Sequence, residues 1–170
     1  MGNDRTPLTE PQQYTFTGIF DPDYVYSALK KYLEEGKGYD SSERKVEEKR
    51  VGDELEIDIE LGMDLHATDH IFYTITLEIE MKGTDAIVVD KLGVEHRYVD
   101  GTAYLNIYSF LILNDNNHRH GSFFTEFFAR VYDKYYNTGE MAMLTKKGKK
   151  DVADTITRFK QLTNMSTQRR

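Results

Sequence analysis

Apolar and polar residues alternate strictly along ELEIDIEL (54–61), with Leu55, Ile57, Ile59 and Leu61 on one side and Glu54, Glu56, Asp58 and Glu60 on the other. A period of two is that of a half-buried strand. IFYTITLEIEM (71–81) repeats the pattern, with Ile71, Tyr73, Ile75, Leu77, Ile79 and Met81 inward. DLHATDH (64–70) reads as the turn between the two, and Gly83-Thr84-Asp85 turns the chain again. AIVVD (86–90) and VEHRYV (94–99) form a short hairpin around Lys91-Leu92-Gly93. Asp100-Gly101 is a tight hairpin signal. TAYLNIYSFLIL (102–113), rather apolar on both faces, is the last strand. Upstream, YTFTGIF (14–20) reads as a strand and the charged SERKVEEKRV (42–51) as an edge strand.

Other segments carry the helical period. Asp21 suits a cap and Pro22 the first helical position. The helix they open, 22–35, sets Val25, Ala28, Leu29, Tyr32 and Leu33 on one face and ends at Gly36 and Gly38. FFTEFFARVYDKYY (123–136), capped by Ser122, carries apolar and aromatic residues over an arc of about 220° at 100° per residue. That is wider than one contact needs, so this helix is expected to be covered from two directions. A further helix spans 140–165, with Met141, Leu144, Val152, Ile156, Phe159 and Leu162 in register and Gly148 weakening its middle.

The expectation is an α+β fold: an antiparallel sheet of about six to seven strands packed against an N-terminal helix and C-terminal helices. Residues 1–13 read as a disordered lead, 14–165 as a single domain and 166–170 as a frayed tail. A chain of 170 residues is long enough for one real core. The net charge of −7 disfavours binding to a phosphate backbone. Zero cysteines exclude disulfides and thiolate chemistry. MGNDRTPLTEPQQ holds no apolar core of a secretory leader, and no run has the length of a transmembrane helix, so a cytoplasmic setting is expected. Gly2 and Thr6 match the short myristoylation pattern, which a polar tail meets by chance. Asn164-Met165-Ser166 is a glycosylation triplet that matters only in a secreted chain.

The order of strand, helix, several strands and C-terminal helix resembles the helix-grip fold of the Bet v 1 and START-like superfamily. That resemblance implies a curved sheet around a long helix with a hydrophobic cavity between them. DPDYVYSALKKYLEEGKGYD (21–40), DHIFYTITLEIEMKG (69–83), DKLGVEHRYVDG (90–101) and FFTEFFARVYDKYY (123–136) also look like a group of small archaeal proteins with no assigned activity. No residue role can be carried over from that group; it implies a cytoplasmic, archaeal setting.

Three functional readings follow. The favoured one is a non-enzymatic binding module holding an apolar or lipid-like molecule between sheet and aromatic helix. Its cavity would be lined by Tyr73, Leu77, Tyr108, Phe124, Phe127 and Phe128. The alternative is an interaction or structural protein with those residues packed tight and an exposed edge or apolar patch elsewhere, its partner another protein or itself. The third is a metal-dependent enzyme, which needs His66, His70, His118 and His120 to converge as ligands. Polar turns that carry histidine are the plainer account of those four, and no cofactor is expected. The chain lacks a G-x-S-x-G elbow, a Walker loop and an H-E-x-x-H pair. The acids 54, 56, 58 and 60 read as a solvated sheet face, paired across strands with Lys45 and Lys49, and KKGKK (146–150) as a solvated helix segment.

Overall fold

The computed structural model describes residues 5–68, 71–89, 92–113 and 139–168. Six strands form one antiparallel sheet: β1 (Arg5–Pro7), β2 (Gln12–Phe20), β3 (Asp40–Val51), β4 (Glu54–Thr68), β5 (Ile71–Val89) and β6 (Glu95–Leu113). The order across the sheet is β1-β6-β5-β4-β3, and β2 joins the same side of β6 as β1. β2 pairs Val99–Ile107 and β1 pairs Phe110–Ile112. Helix α1 (Pro22–Lys31) follows β2, and α2 (Glu140–Gln168) ends the chain. The fold is α+β, as the alternation predicts.

Odd-numbered residues of β4, β5 and β6 share the helix-covered face. Register sets Ile59 opposite Ile79 and Ile79 opposite Leu105. Their neighbours Leu61, Leu77 and Ile107 form the next row, all fully buried. Val25, Leu29 and Leu33 of the first helical segment and Val152, Phe159 and Leu162 of α2 close over them. At about 1.5–3 kcal/mol per large apolar side chain, this layer is the dominant favourable term in folding.

The cap at Asp21 forms as the sequence implies: the Tyr24 N–H donates to its Oδ1 at 3.0 Å, with Pro22 at the helix start. The final turns, Tyr32–Gly36, widen into a π-helical segment. The chain then leaves through Gly38 at φ 77°, where Gly38 N–H donates to Glu34 O and Tyr39 N–H to Leu33 O, both at 3.1 Å. This exit turns Tyr39 into the interior.

Several expectations are corrected. The lead 1–13 carries β1, and the next residues are anchored too: Leu8 and Thr9 are buried, and both N–H groups donate to Ser109 O, at 2.9 and 3.2 Å. The turn expected at 64–70 is largely strand, because β4 runs to Thr68 and pairs Asp64, Leu65 and His66 with Thr74, Tyr73 and Phe72. The turns expected at 83–85 and 100–101 lie opposite each other in one continuous ladder, Gly83 against Gly101 and Thr84 against Asp100. A Cβ at Gly101 would fall 2.0 Å from Lys82 O, and one at Gly83 2.4 Å from Asp100 O. These glycines serve a close approach of two backbones, not a reversal of either. The seven segments read as strands thus merge into five, and β1 makes six, within the six to seven expected. Residues 140–165 form one helix, which runs through Gly148 and on to Gln168, past the expected start of the frayed tail. The aromatic segment 123–136 lies outside the described residues.

The opposite sheet face carries the acids of β4, as expected, with Lys45 bonded to Asp58 and Arg44 to Glu60 at 3.4 Å. Toward β1 that face is not simply solvated. Thr74, Thr76 and Phe110 are buried there. Thr74 donates to Asp64 at 2.6 Å, and the Arg5 guanidinium lies 5.0 Å from the Phe110 ring centroid.

Candidate functional site

Two features stand apart from the apolar layer. The first is a buried polar cluster where α2 crosses β5. Asp151 of α2 is 2% exposed. Its carboxylate accepts from Tyr39 OH at 2.7 Å, Lys147 Nζ at 2.8 Å and Lys37 Nζ at 3.2 Å. Lys37 also reaches Asp154 at 2.7 Å. Burial would raise the Asp151 carboxyl, but the bonds from Lys147, Tyr39 and Lys37 outweigh it and hold the group below the usual carboxylate range. Burial, reinforced by Asp151, pushes the Tyr39 phenol far above its ordinary value.

Tyr73 packs beside Tyr39, ring centroids 6.0 Å apart. Its hydroxyl is buried with no well-formed hydrogen bond among the described residues. Burial pushes its pKa up to about 12, with the nearby Ser109 and Tyr39 hydroxyls pulling the other way. The ring lies hard against α2, since a Cβ at Gly148 would sit 2.6 Å from the Tyr73 hydroxyl. Ser109 in turn meets Thr9, hydroxyl to hydroxyl at 2.9 Å.

The shifts decide what this cluster can do. A general base near neutral pH needs a pKa near 7, and a nucleophile needs a lowered one. Here the carboxylate is held ionised and the phenols are held protonated. The arrangement fastens the π-helical exit, through Lys37 and Tyr39, to α2. Sequence inspection passes over Asp151, although a signal exists. Leu144, Val152, Phe159 and Leu162 set an inward stripe, and Gly148, Asp151 and Thr155 interrupt it, all three buried. Lys147 stands four residues before Asp151, the spacing of an ion pair on one helix face.

The second feature lies at the far end of the same strand. β4 makes its last pair with β5 at Glu54 and Thr84, with Asp53 O accepting from Asp85 N–H at 2.9 Å. β2 makes its last pair with β6 at Phe20 and Val99. Beyond these points, 86–89 and 95–98 continue as a two-stranded arm, with Arg50 bonded to Asp85 at its root. Ile87 is 63% exposed, Val89 59%, Leu92 88% and Val94 51%. Gly93, at φ 79°, lies in the turn at the tip.

Of the six proposed cavity residues, the structure brings Tyr73 and Leu77 together on the helix-facing side of β5, both buried. Tyr108 stands on the other face, opposite Thr76, with its hydroxyl donating to Glu78 at 3.2 Å and its ring stacked on Phe110. It therefore cannot share a cavity wall with Tyr73. Phe124, Phe127 and Phe128 lie outside the described residues. His66 is exposed, with its ring 4.4 Å from Phe72; His70, His118 and His120 lie outside the described residues. Among the described residues, no group of three or more His, Asp or Glu is placed to hold a metal ion, and no helix is long and apolar enough to cross a membrane.

No protein-family model matches the chain. No curated protein matches it. Among solved structures, it is similar to a protein of unknown function, SA2116, from Staphylococcus aureus, with 98% of each chain covered, 14% identity and a TM-score of 0.25. A likeness at that score carries no argument about function.

Proposed function

We propose that this protein is a non-enzymatic interaction module: a filled α+β core that presents the two-stranded arm, 86–89 with 95–98, to a protein partner. One observation carries the reading. Within a single strand, Tyr73, Ile75, Leu77, Ile79 and Met81 are sealed under the helices, while Ile87 and Val89 hold most of their surface in water. Side chains lining an apolar cup keep surface that a water-sized sphere can touch. Ile75, Leu77 and Ile79 keep none. Apolar residues clustered outside a full core mark interaction surfaces.

The helix-grip likeness is part of this reading. It is supported by the first strands pairing with the last, by α1 inserted after β2, and by a long C-terminal helix crossing the sheet. In this version the sheet grips its helix without a ligand between them.

Native mass spectrometry of gently purified protein, repeated under denaturing conditions, tests the proposal. The expected spectrum shows protein–protein species that disappear in the double variant Ile87→Asp, Val89→Asp, and no stoichiometric small molecule. Extra mass of a few hundred daltons that leaves only on denaturation would restore the ligand cup.

A further inference from the structure

We infer that the partner of the arm is a second copy of this chain, joined edge to edge through Ala86–Val89. This rests on the interaction reading above and names its partner. An open strand edge exposes a row of unpaired N–H and C=O groups, and another strand is what satisfies such a row. The outer edge of 86–89 has no paired strand among the described residues, because β4 stops opposite Thr84.

The other outer edges of the sheet are of different character. β3 carries eight charged residues among its twelve and a register shift between Glu43 and Lys45, both devices that discourage pairing. The arm's other edge holds Glu95, His96 and Arg97 in succession. β2 is uncharged, but its Tyr14, Phe16 and Phe20 turn to the core, where Tyr14 meets Phe159 of α2 ring edge to face at 6.0 Å. Ala86-Ile87-Val88-Val89 is uncharged and β-prone, and its Ile87 and Val89 side chains stand in solvent.

The same segment suits itself. Ile87 and Val89 point to one face, two residues apart. A two-fold antiparallel pairing centred on position 88 sets Ile87 of each copy opposite Val89 of the other. Centring on 87 would instead set Val89 against Asp85. Apolar β-branched pairs opposite one another stabilise an antiparallel ladder, so the first register is the one selected. The charge of −7 on each copy opposes approach at long range, but at physiological salt that repulsion fades within about 8 Å. The contact is short, so the dimer is of the weak, exchanging kind and not an obligate one.

The absence of natural cysteine gives a clean test. Directly opposed residues in an antiparallel pair have Cα atoms about 4.5–5.5 Å apart, within reach of a disulfide. Ile87→Cys and Val89→Cys are made as separate proteins, alongside Val51→Cys, which is exposed at another site. On mild oxidation, an equimolar mixture of the first two should give several-fold more covalent dimer than either alone, and Val51→Cys should give little. Sedimentation of the wild type should show a dimer fraction rising through the micromolar range, with Ile87→Asp weakening it about tenfold or more. A wild type that stays monomeric, or cysteine pairs that cross-link without preference, overturns the inference. If native mass spectra then still show a different protein lost on Ile87→Asp, the interaction reading survives with another partner. If nothing binds at the arm, both fall.

Discussion

The two ends of β5 obey one rule and meet opposite fates. At one end Tyr73 and Ile75 alternate with Thr74 and Thr76, and all four are buried. At the other, Ile87 and Val89 follow the same alternation and stand in water. Strand periodicity says which residues share a face. It does not say whether anything packs on that face. The first end has α2 above it, fixed by Asp151, Lys37 and Tyr39. The second has outrun β4 at its outer edge and keeps only β6 beside it, and Ile87 and Val89 stand exposed on its face.

Predictions follow from this contrast. Breaking the fastened end should cost most. Asp151→Ala removes the central carboxylate of a buried ion cluster, takes the acceptor from Tyr39 and leaves Lys37 with Asp154 alone, so a loss of about 3 kcal/mol is expected in urea unfolding. Gly148→Val, forcing bulk against the Tyr73 hydroxyl, should cost about 1–3 kcal/mol. Gly148→Ala should be destabilising in the wild type despite the better helix propensity of alanine, and should lose much of its cost in Tyr73→Phe. Such coupling is read from a double-mutant cycle, and simple additivity would show that the two residues do not press on each other.

Acid should act at the same end. The Asp151 carboxyl has a folded-state pKa below its unfolded value of about 3.9. Its contribution is therefore fully present above that value and fades as pH falls through the folded-state pKa. Asp151→Asn should flatten the loss of stability below about pH 4 relative to wild type. Tyr73→Phe alone deletes a hydroxyl with no well-formed bond, and should be neutral or stabilising by up to about 1 kcal/mol. The smallest effect belongs to the arm: Ile87→Ser should change monomer stability by no more than about 0.5 kcal/mol. A loss as large as that of Asp151→Ala would mean that the two ends do not differ as described.

The sequence is legible where a local rule has one meaning. Asp21-Pro22 could only begin a helix well, and the 54–61 alternation could only be a half-buried strand. It misleads where one residue type serves two ends. Gly83-Thr84-Asp85 and Asp100-Gly101 look like turns, yet their glycines admit a neighbouring backbone, which becomes visible only once register pairs them. Arg5–Pro7 is too short for any period and is held by Ser109 and its neighbours, about a hundred residues away in sequence. The polar cluster is legible only as interruptions in the stripe of α2, since Asp151 gains its meaning from Lys37 and Tyr39 more than a hundred positions earlier.

The pairing of β2 with β6 also has a consequence in time. Thr17 meets Thr102, 85 positions later. During synthesis at about 5–20 residues per second, β2 must wait roughly 4–17 s for its partner to be made. Throughout that interval the uncharged strand QQYTFTGIF has no native neighbour to pair with. Folding that depends on such distant contacts is slow and exposed to misassembly. The risk to the nascent chain thus sits at β2, and it ends only when β6 emerges.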